Sequence, residues 1–203
     1  MKKTTKLKKI DYEQKKKIKD YIKSLTEKDK FKFWIKTFLT THSIIPNIIK
    51  QLDKIIELQA TTISFSSDIF NLHSSITKQF DQVIDLSERK NTLLNIYIMT
   101  KQMHKSLSEE EWDFLEKKYV YNWTAEDLAT DYEISKRSVF RKVEQLIDKI
   151  YKNAIENKWS VRFIESQVKD EEWLREKYIK IIIDYFKSIN YKMDYQSQSS
   201  SEL

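Results

Sequence analysis

The sequence predicts an all-α fold, and three observations carry that expectation. Apolar residues recur at helical spacing along most of the chain, as in Phe31, Trp34, Ile35, Phe38 and Leu39. Gly is absent from the 203 residues and Pro occurs once, at Pro46. β-hairpins, which draw on Gly at their turns, are therefore disfavoured. The hydrophobic fraction of 40% is enough to bury a core, so global disorder is not expected. An AT-rich coding sequence would deplete Gly too, which leaves the periodicity as the stronger of these signals.

The elements follow in order. Residues 1–30 read as a Lys-rich arm with a weak apolar stripe of Ile10, Ile18, Tyr21, Ile22 and Leu25. Residues 1–36 hold 14 Lys against 5 Asp or Glu, so this end carries +9 while the whole chain carries +6. Such an arm suits phosphate contacts through counterion release, and equally suits a solvated tail. A helical N-terminal domain is expected over 31–105. Thr26 to Asp29 has a capping-box pattern ahead of Phe31, and Pro46 fits the first turn of the next helix, where its missing N–H costs nothing. Ile48, Ile49, Leu52, Ile55, Ile56 and Leu58 would form that helix's buried face. The stretch Thr61 to Ser67 reads as a loop or junction. From Ile76 the stripe resumes through Phe80, Val83, Ile84, Leu86, Leu93, Leu94, Ile96, Tyr97 and Ile98, one long helix that would pair with the Pro46 helix as an antiparallel hairpin.

A distinct unit is expected over 106–158. Ser108-Glu-Glu-Glu111 caps a helix bearing Trp112, Leu115 and Tyr119. Then comes TAEDLATDYEISKRSVFRKVEQLI. Thr124 opens a short helix bearing Leu128 and Ala129, a tight connection ends at Ile134, and Ser135 caps a longer helix. That is the pattern of a helix-turn-helix, whose second helix enters the DNA major groove. At about 100° per residue, Val139, Val143, Leu146 and Ile150 share one edge, which should pack on Leu128, Ala129 and Ile134. Arg137, Phe140, Arg141 and Glu144 fall outward as candidate base-facing residues. Guanidinium groups suit guanine, Phe140 suits a thymine methyl, and Glu144 would accept from cytosine N4 or hold an Arg in position. Ser135, Lys136, Ser138, Lys142 and Lys149 are candidate contacts to the DNA backbone. Ser135 to Lys152 carries +4, whereas Ser108 to Glu133 carries −7, so one cationic helix stands in an acidic unit. Two departures are visible: the turn holds Glu133 where Gly is usual, and Asp131 stands where an apolar residue is common.

Over Ser108 to Ala154, SEEEWDFLEKKYVYNWTAEDLATDYEISKRSVFRKVEQLIDKI resembles region 4 of bacterial sigma factors. The likeness lies in the acidic lead-in helix, the aromatic before the TAEDLA helix and the Ile-Ser start of the reading helix. It also resembles phage late-gene transcription regulators of the ArpU and RinA type, which place a helical segment ahead of a sigma-like unit. The resemblance covers about a quarter of the chain, and no counterpart of sigma region 2 is evident in the first 105 residues. It implies double-stranded promoter DNA and core RNA polymerase as partners, with Arg137, Phe140 and Arg141 facing bases and Lys136 facing the backbone. Three readings stay open: a sigma-like initiation factor, a phage-type activator without sigma activity, and a helical interaction protein that captures a transcription factor.

A C-terminal amphipathic segment over 159–190 carries Trp159, Val161, Phe163 and Ile164, then Trp173, Leu174, Tyr178, Ile181, Ile182, Tyr185 and Phe186 from about Asp170 to Ser188. Its apolar face must bury against the hairpin, a second copy or another protein. Residues 191–203 are Ser-rich and read as a disordered tail. No Cys is present, and His42, His73 and His104 fit no metal-ligand spacing. Without Gly no phosphate-binding loop is possible, so neither an enzyme nor a bound metal or cofactor is expected. No apolar run approaches the ~20 residues that span a bilayer, and the N-terminus lacks the apolar core of a secretory signal. A soluble cytoplasmic protein is expected. The oligomeric state is not set by these features.

Overall fold

Helix follows helix through the described residues of this computed structural model, 16–66 and 73–199, and no strand occurs among them. The fold is all-α. The elements are α1 (16–24), α2 (Glu27–Thr41), α3 (Ile45–Ser66), α4 (His73–Lys105), α5 (Glu109–Tyr119), α6 (Ala125–Asp131), α7 (Lys136–Glu156), α8 (Val161–Gln167) and α9 (Glu172–Ser199). Hydroxyl N-caps start many of them. Thr26, Ser108, Thr124, Ser135 and Ser160 each accept a backbone N–H three residues on, and Ser108 and Thr124 close full capping boxes with Glu111 and Asp127.

α2 lies at the centre. It packs against α4, α5, α7, α8 and α9, and its buried residues run all round the helix: Phe31, Phe33, Trp34, Ile35, Thr37, Phe38, Leu39 and Thr41. Two of these are polar. Their hydroxyls bond back along the helix, Thr37 to the Phe33 carbonyl at 2.8 Å and Thr41 to the Thr37 carbonyl at 2.9 Å, so burial leaves neither unsatisfied. Trp34 stacks on Tyr178 of α9 with ring centroids 4.1 Å apart, and Phe33 meets Tyr185 edge-on. The first half of α9's apolar face is thus buried within the chain, with Leu174, Tyr178 and Ile182 in the core, while Tyr185 further along is 43% exposed.

α3 and α4 form the expected hairpin, tied by an ion pair between Lys90 and Asp53. α3 continues through Thr61 and Thr62, where a junction was expected. Both hydroxyls bond the carbonyls four residues back, Glu57 and Leu58, so a polar stretch stays helical. The buried face of α3 is also narrower than expected. Leu52 and Ile63 are buried, but Ile55 and Leu58 are 43% and 69% exposed. Six apolar residues within eleven cannot all fit one face of a helix with a single neighbour. Phe80, Ile84 and Ile98 on α4 are likewise exposed.

One contiguous cluster of buried side chains runs from Leu25 to Ile182, across the expected boundaries near 30, 105 and 158. Hairpin and body are bolted together by Glu171. It is 1% exposed, accepts from Arg89 of α4 at 2.9 and 3.3 Å, and accepts from the Trp173 indole at 2.6 Å. The expected arm and tail are shorter than their sequence limits: α1 occupies 16–24, and α9 continues to Ser199. Residues 1–15 and 200–203 of those segments lie outside the described residues. No described helix is long and apolar enough to cross a membrane.

Where α2 ends, His42 and His104 flank Trp112, with ring centroids 5.4 and 4.4 Å from it. Burial, with Lys101 and His104 nearby, holds the His42 imidazole below its ordinary value of 6.5. The folded state therefore binds fewer protons than the unfolded state as pH drops below 6.5. Stability should fall with acidification through that window. Thermal melts of His42→Gln between neutral pH and pH about 5 should show a shallower slope than wild type; an identical slope would count against this origin.

Candidate nucleic-acid interface

The charged side chains of α7 sort into two groups, and packing decides which is which. α5, α6 and α7 pack on one another around Phe114, Leu115, Leu128, Val139, Val143, Leu146 and Ile150, all buried, with Ala129 and Ile134 against them. α6 reaches α7 through Tyr132, Glu133, Ile134 and Ser135. Glu133 takes φ +51°, the left-handed conformation that Gly would adopt without strain. The Ile134 N–H bonds the Ala129 carbonyl at 3.0 Å and the Glu133 N–H approaches the Thr130 carbonyl at 3.4 Å, a Schellman closure of α6. The bend that the sequence lacked a Gly to make is therefore made by a glutamate. The end of α7 repeats the device, with Lys158 at φ +61° and Trp159 N–H on the Ala154 carbonyl at 2.9 Å.

Polar contacts fix the same turn. The Tyr132 hydroxyl donates to Asp113 at 2.6 Å, and burial with this bond raises the phenol to about 12. Lys117 bridges Asp113 and Asp131 at 2.8 and 2.9 Å. That bridge accounts for an acid at a place where apolar residues are common.

Beyond the turn, Ser135 accepts the Ser138 N–H at 3.1 Å and its hydroxyl lies 2.9 Å from that of Ser138, so both are occupied at the helix start. Lys136 pairs with Glu126, Lys142 approaches Glu110 at 3.9 Å, and Lys149 meets Glu111 at 2.5 Å. Lys142 also lies over the rings of Phe114 and Tyr132, at 4.6 and 4.7 Å. Three of the five candidate backbone contacts thus pair with acids of α5 or α6. Arg137 and Arg141 are exposed and have no partner among the described residues. Phe140, between them in sequence, is 57% exposed.

Glu144 is placed differently. It faces α2, where Lys36 donates at 2.9 Å and Lys32 at 3.4 Å. Partial burial works to raise its carboxyl, yet Lys36 and Lys32 hold it below the usual range. Asp148, one turn on, meets Lys32 and Lys28 at 3.0 and 3.1 Å. The structure brings Arg137, Phe140 and Arg141 together and puts Glu144 in a lateral seam with α2. The signal for that seam was present: Lys28, Lys32 and Lys36 are spaced four apart, as are Glu144 and Asp148. Read in opposite directions, these ladders match.

Among the described residues no cluster of His, Asp or Glu could hold a metal ion. Comparison with protein-family models, curated proteins and solved structures found no match.

Two substitutions test this geometry. Glu133→Gly should raise stability by roughly 0.5–1 kcal/mol, because it removes a β-carbon from a left-handed position; a lower melting temperature would contradict the strain. Glu144→Gln should cost roughly 1 kcal/mol, since the Glu144 carboxylate is half-exposed while its partners Lys32 and Lys36 are largely buried, and should leave any DNA sequence preference unchanged. Altered base preference in a binding-site selection would return Glu144 to the base-facing set.

Proposed function

We propose that the protein is a sequence-specific DNA-binding transcription regulator in which α6 and α7 act as a helix-turn-helix and the first turns of α7 enter the major groove. One observation carries the reading: Arg137 and Arg141 are the cations of the α7 N-terminal half that remain exposed and unpartnered among the described residues, while the neighbouring lysines pair with acids. Two guanidiniums four residues apart, with Phe140 beside them, match the chemistry of guanine edges and a thymine methyl. Lys136 contributes a phosphate contact. Its pair with Glu126 is solvent-exposed, and such a pair exchanges for a phosphate at small cost. The start of a 21-residue helix adds its positive dipole end to the same place.

The likeness of Ser108–Ala154 to sigma region 4 makes promoter DNA and core RNA polymerase the proposed partners, with sigma-like initiation as the proposed activity. The reading as a protein that captures a transcription factor through Trp173 to Phe186 has less support, because Leu174, Tyr178 and Ile182 are buried in the chain's own core.

Binding-site selection should yield a defined sequence. Arg137→Ala and Arg141→Ala should each lose roughly 1–3 kcal/mol of discrimination at one base pair, with melting temperatures unchanged because both side chains are exposed. A footprint indifferent to the double substitution would exclude α7 as the reading helix. Run-off transcription with core polymerase then separates the two activities: initiation without another sigma factor marks an initiation factor, and DNA binding without initiation marks a regulator.

A further inference from the structure

The long helix α4 has three sides in use or open to view. Lys90 turns to α3, where it pairs with Asp53. Arg89 turns to the body and binds Glu171. Asn91 lies roughly 200° round from Arg89 at about 100° per residue, and a stripe runs through it along the side away from the body. The stripe consists of Phe80, Ile84, Ser87, Asn91, Leu94 and Ile98, spaced four, three, four, three and four residues apart. That is the phase of a heptad repeat, with Ile84, Asn91 and Ile98 at a and Phe80, Ser87 and Leu94 at d. Phe80, Ile84 and Ile98 are 52%, 54% and 51% exposed, although each belongs to a large apolar type. Scattered exposed apolar residues need no explanation, but a phased row does.

We infer that this stripe is a dimer interface, on which α4 of a second copy docks in parallel as a two-stranded coiled coil. The second copy is singled out by Asn91. An Asn at an a position is unfavourable against an apolar residue and satisfied against another Asn, which an identical helix in register supplies. Ser87, the next layer on one side, keeps its hydroxyl on the Val83 carbonyl of its own helix at 2.7 Å, and apolar layers at Ile84 on that side and at Leu94 and Ile98 on the other enclose the polar pair. Parallel pairing also suits the flanking charges. It sets Glu88 near Val83 of the partner subunit, whereas the antiparallel arrangement sets Glu88 near Glu88 of the partner subunit and Lys90 near Lys90 of the partner subunit. The stripe is about 27 Å long at 1.5 Å per residue. With α3 flanking α4, a strip about 20 Å wide on each subunit buries on the order of 1,000 Å² in total, the size of a small specific interface. A twofold pair would present two copies of α7, suited to a site with inverted-repeat symmetry.

The test uses the full chain without DNA, so its outcome is independent of the DNA-binding reading. Sedimentation equilibrium at micromolar concentration should give twice the 24.6 kDa chain mass. Ile84→Glu should weaken the association at least tenfold with an unchanged circular dichroism spectrum, because the side chain it replaces is exposed. The chain has no Cys, so Ile98→Cys supplies a single thiol; under mild oxidation it should form a disulfide-linked dimer. A monomeric wild type, or a dimer indifferent to Ile84→Glu, overturns the interface. A dimer in which Ile98→Cys does not crosslink overturns parallel docking, since antiparallel helices hold those positions about 27 Å apart.

Discussion

The burial of α2 on all sides is the constraint on which the rest of the structure depends. Helices at a protein surface have one apolar stripe, whereas α2 has Phe31, Trp34, Ile35 and Phe38 inside together with Phe33, Thr37 and Thr41. A helix of that kind cannot be stable alone and must be wrapped. α9 supplies the Tyr178 and Tyr185 rings, α5 and α4 close its far end around Trp112 and Met103, and α7 covers the Phe31 side through Tyr151. Truncating a large side chain at such a centre costs roughly 3–5 kcal/mol, a large fraction of a typical domain's stability. The exposed surfaces of α7 and α4 are what remains after α2 has been enclosed.

The same helix explains how α7 divides its charges. On one flank, Lys28, Lys32 and Lys36 hold Glu144 and Asp148 in a seam. On the other, acids at the start of α5 and α6 meet Lys136, Lys142 and Lys149. The pairings differ in strength. Lys142 is held over two aromatic rings, while Lys136 and Glu126 are both largely exposed and are held weakly. What emerges between the flanks is a short cationic edge at the beginning of α7, and sequence counting of +4 for the whole helix overstated the charge free to meet an outside partner.

Much of the fold was legible because its signals are local. Thr26, Ser108, Thr124 and Ser135 announce helix starts through a hydroxyl three residues ahead of the N–H it caps. The packed edge of α7, Val139, Val143, Leu146 and Ile150, followed from the 3.6-residue period. Three things did not follow. Thr61 and Thr62 looked like a break, since back-bonding within a helix leaves no mark in composition. Ile55, Phe80, Ile84 and Ile98 have the spacing of core residues yet are exposed, since periodicity identifies an apolar face without saying what covers it. Glu144 falls outward on α7 taken alone, yet α2 lies alongside and its lysines meet it. The Lys ladder of α2 becomes readable as a partner for Glu144 and Asp148 only once the two helices are known to run in opposite directions.

The absence of Gly gives the candidate interface a particular mechanical character. Asn122, Glu133 and Lys158 all take left-handed backbone conformations, at φ +57°, +51° and +61°, at or near the ends of α5, α6 and α7. Asn tolerates that conformation through its short polar side chain, but Glu133 and Lys158 gain nothing locally from it, so there it persists only where surrounding contacts over-determine it. At Glu133 those contacts are the Ile134–Ala129 bond, the Tyr132–Asp113 bond and the Lys117 bridge to Asp131. The angle between α6 and α7 is thereby set by tertiary packing rather than by a flexible hinge residue. A rigid connection of this type presents Arg137 and Arg141 at a fixed position relative to the body, so under the proposed DNA-binding reading the body's shape, rather than adjustment of the turn, would select how α7 approaches a groove.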